Sequence, residues 1–148
     1  MKGLKGKSVL VTGASSGIGQ AIAIRFAQEG ANVAINYYSD QDEAIDTKED
    51  IDQACRSIEG CGVSSLVVQA DVSQEEDVDR MFTTAVDKFG GLDILINNAG
   101  MQISGPSHEI AIDKVDRMIA INLRGAYLCA RKAIQHFLSQ QKAGIILN

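Results

Sequence analysis

The sequence has a single proline against 14 glycines. Glycine without proline suits tight turns and close backbone approach rather than linkers. Cysteine is also scarce: Cys55, Cys61 and Cys129, with no Cys-x-x-Cys spacing. That odd count gives no disulfide framework and no zinc site, so we expect reduced thiols, a cytoplasmic protein and no metal. No apolar run reaches the length of a membrane span. Residues 1–8 carry lysines and lead into a strand-like run, which does not resemble a signal peptide. Excess positive charge is missing too. Lys and Arg total 14 against 19 Asp and Glu, a net charge of −5, which argues against a general nucleic-acid or membrane-surface binder.

The chain is otherwise an ordinary globular mixture, 45% hydrophobic and 22% charged over 148 residues. That length suits one domain with a real core and is too short for two ordinary ones. Charge is uneven. Residues 40–52 hold seven acids and one base, a local charge of −6 that reads as a solvated helix face.

Short apolar runs alternate with longer amphipathic segments. Strands are expected at 8–12, 32–36, 64–70, 92–97 and 144–147. Helices are expected at 17–29, from the acidic stretch to Glu59, from Ser73 to about Phe89, and from Asp113 to about Ser139. In the first helix Ile18, Ala21, Ile22, Ala23, Phe26 and Ala27 read as the apolar side, with Gly30 as the stop. Ser73 with Glu76 three residues on reads as a capping box. Strict alternation implies right-handed crossovers and a parallel sheet covered on both faces, an α/β domain.

Two motifs carry chemistry. Thr12-Gly13-Ala14-Ser15-Ser16-Gly17-Ile18-Gly19 falls where the first strand turns into the first helix. Glycines there let the backbone turn and let a phosphate approach the helix N-terminus. The Gly-x-x-x-Gly-x-Gly spacing is one residue wider than the usual dinucleotide fingerprint, and no P-loop lysine comes after it. Asn97-Asn98-Ala99-Gly100 ends the fourth strand, where open α/β sheets bind ligands. Asp71-Val72 ends the third and suits an adenine edge or a helix cap. Asn122 interrupts a helical stripe of Val115, Met118, Ile119, Ala126 and Cys129, so a buried amide in need of partners is expected there.

Taken together, the 12–19 turn, Asp71-Val72, Asn97–Gly100 and Asn122 resemble the short-chain dehydrogenase/reductase family. Asn36-Tyr37-Tyr38-Ser39 and Ser107-His108-Glu109 look like its bacterial glucose 1-dehydrogenase branch. The resemblance implies a Rossmann-type doubly wound parallel sheet and hydride transfer between NAD(P) and a hydroxyl or carbonyl carbon of a small-molecule substrate. It implies that Gly13, Ser15, Ser16, Gly17, Ile18 and Gly19 cradle the pyrophosphate and adenosine, that Asp71 and Val72 flank adenine, and that Asn98, Ala99 and Gly100 line the cleft. Asn122 would hold a water in the proton relay. Tyr38 and Ser39 stand at the corner that chooses NAD or NADP. Neither an acid nor an arginine is found there in sequence, and Ser39 suits a phosphate, so the reading leans to NADP or dual use.

The family's chemistry also needs a serine after the fifth strand and a Tyr-x-x-x-Lys pair, in which lysine lowers the tyrosine's pKa. No Tyr-x-x-x-Lys occurs in these residues. Tyr127-x-x-x-Arg131 is read as packing plus a surface charge, since arginine does not replace lysine there. His136 is read as a cation suited to a helix C-terminus, and His108 as a loop residue near substrate entry. The expectation is therefore one cofactor-binding domain over 1–148, the N-terminal part of a dehydrogenase that forms a homo-oligomer at full length. The alternatives are a non-catalytic dinucleotide-binding or interaction domain and, further behind, a methyltransferase.

Overall fold

Along each central strand successive apolar side chains point to opposite faces, and both faces find a cover. The computed structural model describes residues 3–56 and 62–148. Five strands form one parallel sheet: β1 (Ser8–Val11), β2 (Asn32–Tyr37), β3 (Ser65–Gln69), β4 (Ile94–Ile96) and β5 (Ile145–Leu147), in the order β3-β2-β1-β4-β5. The helices are α1 (Gly17–Gln28), α2 (Gln41–Arg56), α3 (Glu75–Phe89), α4 (Ile112–Ile119) and α5 (Ala126–Ser139). The expected end of the second helix at Glu59, with Gly60 after it, lies outside the described residues.

Val9, Val11, Val33, Ile35, Ile94 and Ile96 are buried with Ala23 and Ala27 of α1 and Ala44 and Ile51 of α2. Leu10, Ala34, Val68 and Leu95, on the other face, pack with Val78, Met81 and Phe82 of α3 and Leu128, Cys129 and Phe137 of α5. This is the Rossmann-type doubly wound arrangement. The register aligns Val11 with Ile35 on one side and Ile96 on the other. The chain winds outward from β1 through β2 to β3, then crosses back to β4, so a switch point opens between β1 and β4.

Several local expectations change. Ile18 is 75% exposed and Ala21 is exposed, so the buried side of α1 is built instead from Ala23 and Ala27 with part-buried Ile22, Ile24 and Phe26. Ser73 does not cap α3, which begins at Glu75 with no side-chain cap. Its hydroxyl is committed elsewhere: it donates to Asp71 Oδ1 at 2.7 Å and accepts from Arg117. The long helix expected from Asp113 is interrupted by a π-helical turn, Ala120–Gly125, between α4 and α5. Such a turn inserts a residue into the helical ladder and rotates the next side chains about the axis. Asn122 is exposed, not buried, and α4 before the turn buries no residue either, so the expected stripe has no cover there among the described residues. Tyr127 is 65% exposed and does not pack, while Arg131 pairs with Glu75 at 2.7 Å. His136 Nε2 accepts a hydrogen bond from Leu92 N–H at 3.0 Å, so the ring is anchored as an acceptor rather than standing as a helix-end cation. No helix among the described residues is long and apolar enough to cross a membrane.

Candidate functional site

The site begins with the turn out of β1. Gly13 adopts a φ of +60°, and a side chain there would meet Ala99 Cα at 2.8 Å. Gly19, in the first turn of α1, is tighter still: an added Cβ would sit 2.3 Å from Gly13 O and 2.5 Å from Asn98 Nδ2. Both positions need glycine because backbone meets backbone there. Ser16 precedes α1 without a side-chain cap, and the first turn carries no acid. Among the described residues no side chain accepts from the N–H groups of that turn, which suit an anion.

Side-chain bonds tie this turn to its neighbours. Thr12 Oγ1 accepts from Asn98 N–H and Ala99 N–H, both at 3.0 Å. Asn98 Nδ2 donates to Thr12 O and Gly13 O at 3.0 and 2.8 Å. Thr47, fully buried on α2, donates to Ser15 O at 2.9 Å. Asn36 is only 2% exposed; its Oδ1 accepts from Gly13 N–H at 3.1 Å and its Nδ2 donates to Ala70 O at 3.2 Å. Sequence reasoning does not find Asn36 and Thr47 as supports of this turn. Each looks like an ordinary strand or helix residue until the tertiary fold brings it there.

A cleft of about 630 Å³ opens beside this turn. It brings together Gly13, Ser15, Tyr38, Ser39, Asp71, Val72, Ala99 and Gly100, eight of the residues singled out in the sequence. Ser16, Gly17 and Ile18 are exposed outside the lining, while Gly19 and Asn98 brace the turn beneath it. Asn122 is also outside the lining. Its amide clamps the backbone of Met101, accepting from N–H at 2.8 Å and donating to the carbonyl at 2.9 Å, and Met101 lines the cleft. His108 is 82% exposed and lies against Glu109 at 3.4 Å.

At the far end the lining includes Asp40, Glu43 and Arg117. The sequence shows no arginine at the corner by Tyr38, yet the fold delivers one from α4. Arg117 Nη2 pairs with Asp71 Oδ2 at 2.7 Å, Nη1 donates to Ser73 Oγ at 2.7 Å, and the guanidinium lies over the Tyr38 ring at 5.3 Å. Arg117 and Asp71 are 46 residues apart, so no local signal could have found the pair. Burial pushes the Asp71 carboxyl up, but bonds from Arg117 and Ser73 outweigh it and hold it below the ordinary carboxylate value. Asp71 is thus neither a free edge nor a plain helix cap. It is an ionised anchor, and Asp77 at the start of α3 accepts from its N–H at 2.8 Å. Asp40 does cap α2, accepting from Glu43 N–H at 3.1 Å.

Sheet order, switch point and glycine-rich turn define a Rossmann-type α/β domain with its cleft beyond the carboxyl ends of the strands. Residues 7–148 match the family described as short chain dehydrogenase, and the chain belongs to that family. It is 46% identical over 145 residues to 3beta-hydroxysteroid dehydrogenase 1 of Eggerthella lenta, covering 98% of this chain and 53% of that protein. It is 39% identical over 148 residues to glucose 1-dehydrogenase 2 of Bacillus subtilis, covering 99% and 55%. A short-chain type dehydrogenase/reductase from Mycobacterium marinum superposes with a TM-score of 0.87 at 29% identity, covering 97% of this chain and 55% of that one. The chain therefore spans about half the length of the relatives it matches.

Proposed function

We propose that the switch-point cleft binds a nicotinamide dinucleotide and that the chain is the cofactor-binding part of an oxidoreductase. The observation that carries this is the Gly13–Gly19–Asn98 cradle, where main chain fills the space a side chain would take. In this reading the turn from Gly13 to Gly19, with Ser15, Ser16, Gly17 and Ile18, holds the pyrophosphate at the start of α1. Asp71 and Val72 flank adenine, Tyr38 and Ser39 border the adenosine ribose, and Asn98, Ala99 and Gly100 shape the inner cleft. Bound there, the nicotinamide ring supplies the hydride acceptor or donor. Asn122 fixes the Met101 backbone and takes the family's place in the proton relay.

The charges at the adenosine end move the cofactor choice towards NAD. Asp40 and Glu43 line the cleft, and the arginine present is already paired with Asp71. Two carboxylates oppose a 2′-phosphate and suit ribose hydroxyls. The substrate is a small hydroxyl- or carbonyl-bearing molecule, a steroid alcohol or a sugar such as glucose, in line with the relatives' names. Those names do not favour the non-catalytic reading. Half-exposed or more exposed Ile119, Leu123, Tyr127 and Leu138 support a homo-oligomer at full length.

Titration calorimetry tests this. The 148-residue chain is expected to bind NAD at one site, about tenfold tighter than NADP. It is expected to turn over no glucose, because no Tyr-x-x-x-Lys is among its residues. Absence of heat with both cofactors overturns the reading.

A further inference from the structure

Arg117 is held in an unusual way for a cleft arginine. Two edge nitrogens are fixed, one on Asp71 Oδ2 and one on Ser73 Oγ, both at 2.7 Å. Neighbouring Arg124 donates to Ser73 O, which pins the same loop from the π-helical turn. A guanidinium bonded along its edges still has a flat face to offer. Arg117 Cζ lies over the Tyr38 ring, 5.3 Å from its centre.

The cover is loosely held. Tyr38 is 59% exposed, and its phenol makes no hydrogen bond among the described residues. Among the described residues its ring is held by the cation–π contact with Arg117, and exposed contacts of this kind are weak. No flat ring can slip between the two groups as they stand. A ring inserted there would need roughly 7 Å, twice a carbon contact distance of about 3.5 Å.

We propose that the guanidinium face of Arg117 is the stacking platform for the adenine ring, and that Tyr38 covers it until the nucleotide displaces the phenol. This rests on the dinucleotide reading and names the residue that meets the purine. Asp71 and Ser73 hold the platform flat in advance, so the nucleotide does not have to order it. Tyr38 then acts against the ligand as a competitor for one face, and the purine brings a larger π surface than the phenol.

The test compares AMP and NAD binding to the wild-type chain, Arg117→Lys and Tyr38→Ala by titration calorimetry. Lysine keeps the charge beside Asp71 but has no flat face. Arg117→Lys is expected to weaken both ligands roughly fivefold to tenfold. Tyr38→Ala is expected to tighten AMP about threefold by removing the competitor. If Arg117→Lys binds AMP as the wild type does, the platform is refuted. Tyr38 is exposed, so Tyr38→Ala decides the matter even where Arg117→Lys fails to fold. Affinity that is unchanged or weaker in Tyr38→Ala overturns the proposal, and a loss would make the phenol the platform. Wild-type chain that binds NAD while these variants contradict the platform leaves the dinucleotide reading intact. Wild-type chain that binds neither ligand overturns both.

Discussion

At one end of the cleft, Gly13 to Gly19 lie within two turns of chain, shaped by positive-φ glycines and close main-chain packing and braced from outside by Asn36, Thr47 and Asn98. At the other end, Tyr38, Asp71 and Arg117 arrive from three separate elements and meet through side chains. At Gly13 and Gly19 the first end has no room for an added Cβ. The second is held by an ion pair, two hydroxyl bonds and an exposed stack, and so has room to move. A phosphate needs fixed N–H groups, which a rigid turn provides. A ring needs only a face, which a mobile side chain can cover and uncover.

Substitutions can break that contrast. Gly19→Ala puts a methyl 2.3 Å from Gly13 O and is expected to cost about 3 kcal/mol in urea unfolding. It should also weaken NAD about a hundredfold, near 2.7 kcal/mol. Asn36→Ala removes the amide that joins Gly13 to the end of β3. Leaving those backbone groups unpaired is expected to cost about 2 kcal/mol, again by urea unfolding. Gly17→Ala is the control within the same turn. Its φ is +59°, but nothing lies within 4 Å of an added Cβ, so only the backbone strain of about 1 kcal/mol is expected. A Gly17→Ala loss as large as that of Gly19→Ala would remove close packing as the reason for the motif.

At the adenosine end the expected effects are smaller and depend on pH. The Asp71 carboxyl is depressed in the folded state, so its stabilisation is present above the ordinary carboxylate pKa. It is lost as pH falls through the depressed folded value. Asp71→Asn is expected to cost about 1 kcal/mol near pH 7, because Arg117 is partly exposed. The cost should begin to shrink only below the ordinary carboxylate value of about 4, and vanish below the depressed folded value. Unfolding midpoints of both chains from about pH 2 to pH 7 measure it. A difference that stays constant with pH would show that the Asp71–Arg117 charge pair contributes nothing.

The same contrast explains how much is legible in the sequence. Alternating apolar strands and amphipathic helices announce the parallel sheet, because burial on both faces writes a local pattern. The glycine turn is legible for the same reason, since its residues are neighbours in the chain. Arg117 is not, because its role depends on Asp71 and Tyr38 meeting it across the cleft. Ser73 reads as a cap because the capping pattern is local, and the structure spends that hydroxyl on Asp71 and Arg117. Asn122 continues an apolar stripe that, on α4, nothing in the described residues buries. Its amide lies in a π-helical turn and clamps the Met101 backbone, and no residue type announces such a turn.

The central claim is that one cleft takes a dinucleotide with its phosphates at the Gly13–Gly19 turn and its adenine at Asp71 and Arg117. Backbone amide NMR on the labelled chain, titrated with NAD, tests it most directly. The account predicts shifts clustered at Gly13, Ser15, Gly17 and Gly19, at Tyr38 and Ser39, and at Asp71, Val72 and Arg117. Shifts confined to the α3–α5 cleft around Thr83 and His136, or none at saturating NAD, would contradict it.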